Sequence, residues 1–230
     1  MKIFDDFNQR AVVHSASLDW LASPMAGVDR KPLDRVGGEV ARATSIVRYA
    51  KGSKFSPHVH SGGEEFVVLD GVFQDESGDF PIGSYIRNPP QSSHTPRSDN
   101  GCIIFVKLWQ FQPEDRTHVR LQIDKMSAIP SPTVGVSITP LYKDKHEEVS
   151  VYYFEANAKM SLSVPEGAEI FVLAGELQAQ DDLLQKHSWM RLPLGDTLAV
   201  TAKNNGAKVW VKTGNLPDVS NQIKRVQAAS

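Results

Sequence analysis

The sequence predicts an all-β protein of two tandem barrels, and three observations predict it. Apolar residues come in short runs broken by Gly, Pro, Asn or Asp, with no long helical period. Turn-rich pieces separate these runs at close spacing, which favours a sandwich or barrel over alternating βαβ units. The second half of the chain repeats the first.

The strands follow in order. Ala43 to Ala50 ends at the Gly52-Ser53 turn, and Phe66 to Gln74 lies between Ser61-Gly62-Gly63 and Glu76-Ser77-Gly78-Asp79. Ser84 to Asn88 comes next, and Ile103 to Phe111 follows Ser98-Asp99-Asn100-Gly101. Val149 to Phe154, Ile170 to Gln178, Trp189 to Leu192, Leu198 to Ala202 and Val209 to Thr213 complete the set, with Asn204-Asn205-Gly206 between the last two. Ser127 to Pro140 carries Pro130, Pro132 and Pro140 and reads as the join, giving domains 1–126 and 127–230. The repeat is visible residue by residue. Phe66-Val-Val-Leu-Asp-Gly71 matches Ile170-Phe-Val-Leu-Ala-Gly175 at an offset of 104, and Gly101-Cys-Ile-Ile-Phe-Val-Lys107 matches Gly206-Ala-Lys-Val-Trp-Val-Lys212 at 105.

Composition excludes several classes. The 230 residues carry 25 basic and 27 acidic side chains, divided 15 to 16 over residues 1–125 and 10 to 11 over 126–230. No basic face is implied, so nucleic acid is not an expected partner. No apolar run exceeds five residues, and Asp5 and Asp6 stand where a secretory signal is apolar, so neither a membrane span nor export is expected. The single cysteine, Cys102, forms no intrachain disulfide and no cysteine-based zinc finger, and the cytoplasm is the expected compartment. At the start of an apolar strand Cys102 reads as a buried, inert thiol.

The chemistry gathers in Pro57-His58-Val59-His60-Ser61-Gly62-Gly63-Glu64-Glu65 and, thirty residues on, at His94. Two histidines two apart on a strand point to one face with Cβ atoms about 6 to 7 Å apart. Imidazoles at that distance can converge on one cation at about 2.0 to 2.1 Å. The glycine pair permits a sharp turn that returns a carboxylate to the same place. Glu64 and Glu65 face opposite sides of a strand, so one of them is the ligand, and spacing does not choose between them. A short hairpin brings His94 back to a neighbouring strand. Three imidazoles and a carboxylate suit Zn, Fe, Mn, Ni or Cu and are unlike a Ca or Mg site. Taken singly, each histidine is more often a surface or hydrogen-bonded residue, and it is the grouping that favours a metal. His14, His118, His146 and His187 lack such company and read as solvated or structural. Asp75 to Asp79 reads as a hairpin tip.

With those residues in place, Gly52-x5-His58-x-His60-x3-Glu64-x6-Gly71 resembles the first motif of the cupin superfamily. Gly83-x5-Pro89-x-Gln91-x2-His94 resembles the second, with Gln91 where the pattern has Gly and Ser98 where it ends in Asn. The stretch from His58 to Phe73, together with Gly78-Asp79-Phe80-Pro81, Arg87-Asn88-Pro89-Pro90 and Ser93-His94-Thr95-Pro96, is similar to the cupin-like domain of ChrR, a zinc-containing anti-sigma factor. The similarity runs from about residue 20 to 112 and reaches the rest of the chain through the repeat. It implies two double-stranded β-helix, or jelly-roll, barrels, with His58, His60, Glu64 and His94 as the metal ligands of the first. Zinc is the expected ion, with Fe, Mn or Ni as alternatives. It also implies a regulatory or stress-sensing role. The helical, cysteine-bearing domain that binds the sigma factor in ChrR has no counterpart among these residues, so sigma binding is not expected here. Shifted by 104, the four ligands fall on Leu162, Val164, Ala168 and Leu198, so the second barrel is expected to be apolar and without metal.

An alternative function is an iron-dependent dioxygenase acting on a small diketone or phenol, and a metal-assisted isomerase or lyase has the least support. Tyr49, Arg48 and Tyr85 lie near the ligands on candidate strands with their facing undetermined. A small-molecule effector or substrate is the expected partner, and exposed sheet edges would allow a homodimer.

Overall fold

A computed structural model describes residues 1–229. Two compact units appear: one comprises 1–5, 19–124 and the chain from 220 on, the other 6–18 and 125–219. They differ from contiguous domains 1–126 and 127–230 because two terminal segments are exchanged. Ala11–His14 pairs antiparallel with Ser188–Leu192 in the second unit. In the first, Gln222 on the helix Val219–Ala229 accepts a hydrogen bond from Arg42 Nε at 2.8 Å and donates to the Gln110 carbonyl at 3.3 Å.

The same antiparallel strand order builds both units. In the first it runs Lys2–Ile3, Val28–Gly37, Ala41–Tyr49, Cys102–Leu108, Glu64–Asp75, Ser84–Asn88 and Val119–Gln122. In the second it runs Ile129–Pro130, Val136–Lys143, Glu148–Phe154, Asp196–Thr213, Ala168–Ala179, Ser188–Leu192 and Ala11–His14. Shared irregularities confirm the duplication. Register shifts occur at Pro32/Asp34 and at Pro140/Tyr142, where proline cannot donate to the ladder. Gly71 (φ +69°) and Gly175 (φ +73°) approach the carbonyls of Gly101 and Gly206 too closely for a Cβ, which explains the glycine ending each repeated motif.

Both interiors are apolar. Phe66, Val68, Phe73, Ile86, Ile104 and Val106 form the first core, and Ile170, Val172, Met190, Leu198, Val209 and Val211 belong to the second.

The predicted strands are present, and further strands join them. Leu198 to Ala202 and Val209 to Thr213 are parts of one bent strand, whose first half pairs with Lys159–Val164 and second half with Glu148–Phe154. Part of the proline-bearing join is the strand Val136–Lys143. Val28–Gly37 escapes a hydropathy reading because its Asp-Arg-Lys-Pro-Leu-Asp-Arg stretch lacks alternation. Among the described residues no helix is long and apolar enough to cross a membrane.

Candidate metal centre

Two short strands place the histidines. His58–Val59 pairs with Ser93–His94 so that His58 stands directly opposite His94. The ladder continues irregularly through His60, whose N–H donates to the Ser92 carbonyl (2.8 Å) and whose carbonyl accepts from the Gln91 N–H (3.0 Å). Gln91 holds φ +72°, a left-handed conformation that accounts for the glycine of the family pattern at this position. After His60 the chain reverses through Gly62 and Gly63 into the strand carrying Glu64. A Cβ on Gly62 would overlap the Trp109 ring, and one on Gly63 (φ +77°) would overlap the Phe111 ring, so two aromatic side chains lie directly on this turn.

The result is a cluster of His58, His60 and His94, one nitrogen of each within 4.8 Å of the others. Ring centroids stand 5.0, 4.9 and 4.5 Å apart. Glu64 borders it: its Oε2 is 3.4 Å from His60 Nε2 and 3.7 Å from His94 Nε2. His58 is exposed at the rim, whereas His60 and His94 are buried at 7% and 3% exposure.

Every outward-facing nitrogen has a partner. Nδ1 of His58 lies 3.3 Å from the Ser56 carbonyl, that of His60 3.1 Å from Ser92 Oγ, and that of His94 3.3 Å from Asp75 Oδ2. Asn88 Nδ2 donates to Glu64 Oε2 at 3.1 Å, and Arg120 holds Asn88 Oδ1 at 2.6 Å. By contrast, Nε2 of His60 and Nε2 of His94 are buried with no hydrogen-bond partner. Imidazoles anchored through Nδ1, with unpartnered Nε2 atoms turned toward a carboxylate, fit a divalent transition metal. Burial lowers the His60 pKa to about 4, against the opposing pull of Glu64, so the ring is neutral and ligand-ready near neutral pH. Burial pushes Asp75 upward, but the His94 hydrogen bond and the Ser77 N–H outweigh it and hold the carboxyl below its ordinary value.

The structure also separates the two adjacent glutamates. Glu65 lies on the opposite face, accepting from Tyr85 OH at 2.5 Å and 3.4 Å from Arg87. Tyr85 therefore belongs to that buried polar face, and Arg48 turns outward to Asp29 (2.7 Å) and the Trp20 ring (4.5 Å). Tyr49 points inward, packing on Phe55 and Phe73, and burial together with Glu64 and Cys102 raises its pKa well above the ordinary value. Burial raises the Cys102 thiol to about 11, consistent with an inert residue. Asp75, Asn88, Ser92 and Arg120 are the supporting residues that sequence reasoning missed. Asp75 does stand at a hairpin tip, accepting from the Ser77 N–H at 2.7 Å, but turn chemistry is not its whole role. A cavity of about 290 Å³, bounded by Glu39, Val59 and Trp109, opens beside the histidines.

The second unit keeps the register and changes the chemistry. Leu162 faces Leu198 as His58 faces His94, and Ala168 pairs with Leu192 as Glu64 pairs with Asn88. Val164, Ala168 and Leu198 are buried in its apolar core and Leu162 packs against it. The opposite face is retained: Glu169 pairs in register with Arg191 and Lys212 as Glu65 does with Arg87 and Lys107.

The sequence profile of the ChrR cupin-like domain matches residues 8–112 and 116–217. The chain belongs to the ChrR cupin-like family. No curated protein sequence matches it significantly. Solved structures share its cupin fold. A Nostoc punctiforme protein of proposed dioxygenase activity superposes with a TM-score of 0.73 at 14% identity, over 91% of this chain and 84% of that one. A variant of the Bacillus subtilis oxalate decarboxylase gives 0.62 at 11% identity, over 90% and 77%. The bacterial pirin of Escherichia coli in complex with nickel(II) gives 0.63 at 11% identity, over 89% and 98%. The two matched segments make this ChrR-like cupin a bicupin.

Proposed function

We propose that the N-terminal unit binds one divalent transition metal through His58, His60, Glu64 and His94, and that the chain is a metal-dependent regulatory or sensory cupin. The carrying observation is the pair of buried, unpartnered Nε2 atoms beside the Glu64 carboxylate. Leaving such atoms unsatisfied costs about 1 to 3 kcal/mol each, which a bound ion relieves. Zinc is the first candidate, and Fe, Mn or Ni suit the same donors. The four donors sit on separate strand segments, so joint ligation would tie the rim of the barrel together and make its rigidity depend on occupancy. A small molecule, rather than nucleic acid, a membrane or a sigma factor, is the partner expected of this soluble, cytoplasmic reading. Elemental analysis of the purified chain tests the site. Wild type carries one equivalent of metal, and His58→Ala and His94→Ala carry far less; a full equivalent in both variants places the metal elsewhere.

A second reading, a dioxygenase acting on a small diketone or phenol, is favoured by the cavity beside the exposed His58 and by the fold shared with the Nostoc protein. A bound ion would supply Lewis acidity to an oxygen donor entering from that side. Here Trp109 would wall the entrance and Glu64 would be the acid–base group. Oxygen uptake by the iron-loaded chain with acetylacetone and catechol supports this reading, and its absence leaves the regulatory one.

A further inference from the structure

We propose that the C-terminal unit binds a small uncharged molecule bearing one hydroxyl or carbonyl group, in the cavity at the end of its barrel. That cavity measures about 380 Å³, within the range of small-ligand pockets and near its lower end. Its lining includes Leu162, Val164 and Val211. Leu162 and Val164 stand where the first unit has His58 and His60, so the duplication keeps a recess at the same end and replaces imidazoles with an apolar surface.

Two polar atoms mark the recess as more than a packing fault. Ser150, 2% exposed, lines it with its Oγ buried and without a partner, and His146 lines it with a buried, partnerless Nε2. A hydroxyl removed from water without a hydrogen bond is unfavourable, and most buried polar groups find one. Tyr152 also lines the cavity. Burial, followed by the nearby Glu148, raises its pKa, so the hydroxyl keeps its proton.

Several charges that line the cavity or lie beside it are already engaged. Lys143 pairs with Glu148 at 2.6 Å, and Glu147 with Lys212 at 2.8 Å. Asp144 accepts from the N–H groups of His146 (2.7 Å) and Glu147 (2.8 Å) and from Tyr142 OH (3.2 Å). Lys145 and Glu166, of opposite sign, are exposed. The engaged charges leave no single sign dominant around the cavity to select an ion. Apolar lining beside hydroxyl and imidazole hydrogen-bonding groups suits a single-ring phenol or a ketone of similar size, its ring on Leu162 and Val164 and its oxygen toward Ser150 and His146.

This inference is independent of the metal reading, and the test keeps the two apart. The probe is 4-methylphenol, titrated into the full chain with labelled Leu and Val methyl groups followed by NMR. Saturable shifts are expected at Leu162, Val164 and Val211, and unchanged in a His58→Ala/His94→Ala chain. Ser150→Ala, which preserves the packing, should weaken binding by about 3- to 10-fold through loss of one hydrogen bond. Benzoate should bind far more weakly than 4-methylphenol. The proposal is overturned by the absence of saturable shifts at these methyls with 4-methylphenol and 4-methylacetophenone alike. Binding unaffected by Ser150→Ala, benzoate binding as well as the phenol, or binding lost in the His58→Ala/His94→Ala chain overturns it equally.

Discussion

The metal-free chain should lose stability on acidification, and His60 accounts for a separable part of that loss. Burial lowers its pKa from 6.5 to about 4 in the folded chain. That gap corresponds to about 3 kcal/mol, at 1.36 kcal/mol per pKa unit. An unfolded chain takes up the proton near pH 6.5, whereas the fold resists it until near pH 4. Between those values the unfolded state binds more protons, so stability falls as pH falls, by about 1.4 kcal/mol per pH unit. The contribution is complete above pH 6.5 and gone below the folded value. Urea unfolding of the chelator-treated protein at pH 7, 5.5 and 4.5, beside His60→Gln, isolates this residue from other titrating groups. Wild type should lose about 2 to 3 kcal/mol more than the variant between the extremes. Parallel losses in the two chains would refute the argument that burial keeps His60 neutral.

Three further outcomes follow from particular contacts. Gly63→Ala puts a Cβ at φ +77° into the Phe111 ring and should destabilise the chain by about 3 kcal/mol, read as a lowered urea midpoint with unchanged slope. Asn88→Ala removes the donor holding Glu64 Oε2 and should weaken metal binding by about 10- to 100-fold in a chelator competition, with the circular dichroism spectrum unchanged. Lys212→Met removes the ammonium that stands 2.8 Å from the buried Glu147 carboxylate and should cost about 3 to 5 kcal/mol, measured as a loss in thermal stability.

What the sequence reveals and what it hides divide along one physical line. Groups fixed by local spacing are legible: His58 and His60 share a strand face, the glycine pair demands a reversal, and Gly71 and Gly175 repeat because each meets a carbonyl of the neighbouring strand segment. Glu64 is separated from Glu65 only by the family pattern, and the structure gives the reason in the partners of Glu65, Tyr85 and Arg87, which line the opposite face. Residues whose role depends on a contact far along the chain stay hidden. Asp75 reaches His94 across 19 positions and Arg120 reaches Asn88 across 32, and nothing in their own neighbourhoods signals it. The helix Val219–Ala229 is similarly obscure because the narrow face it buries includes the polar Gln222. Ala11–His14 is a four-residue strand whose partner is supplied from Ser188–Leu192.

The exchanged termini govern when the protein can become whole during synthesis. The edge of the C-terminal sheet must wait for a ribbon made among the earliest residues, which stays unattached until Ser188–Leu192 has emerged from the ribosome. The N-terminal unit, although mostly translated by residue 124, must wait for the helix that supplies Gln222 to the Arg42 guanidinium. The second unit therefore has all its residues before the first does, and a chain stalled before its last dozen residues would keep Arg42 on Asp34 and Gln110 while lacking the Gln222 contact that closes the N-terminal unit.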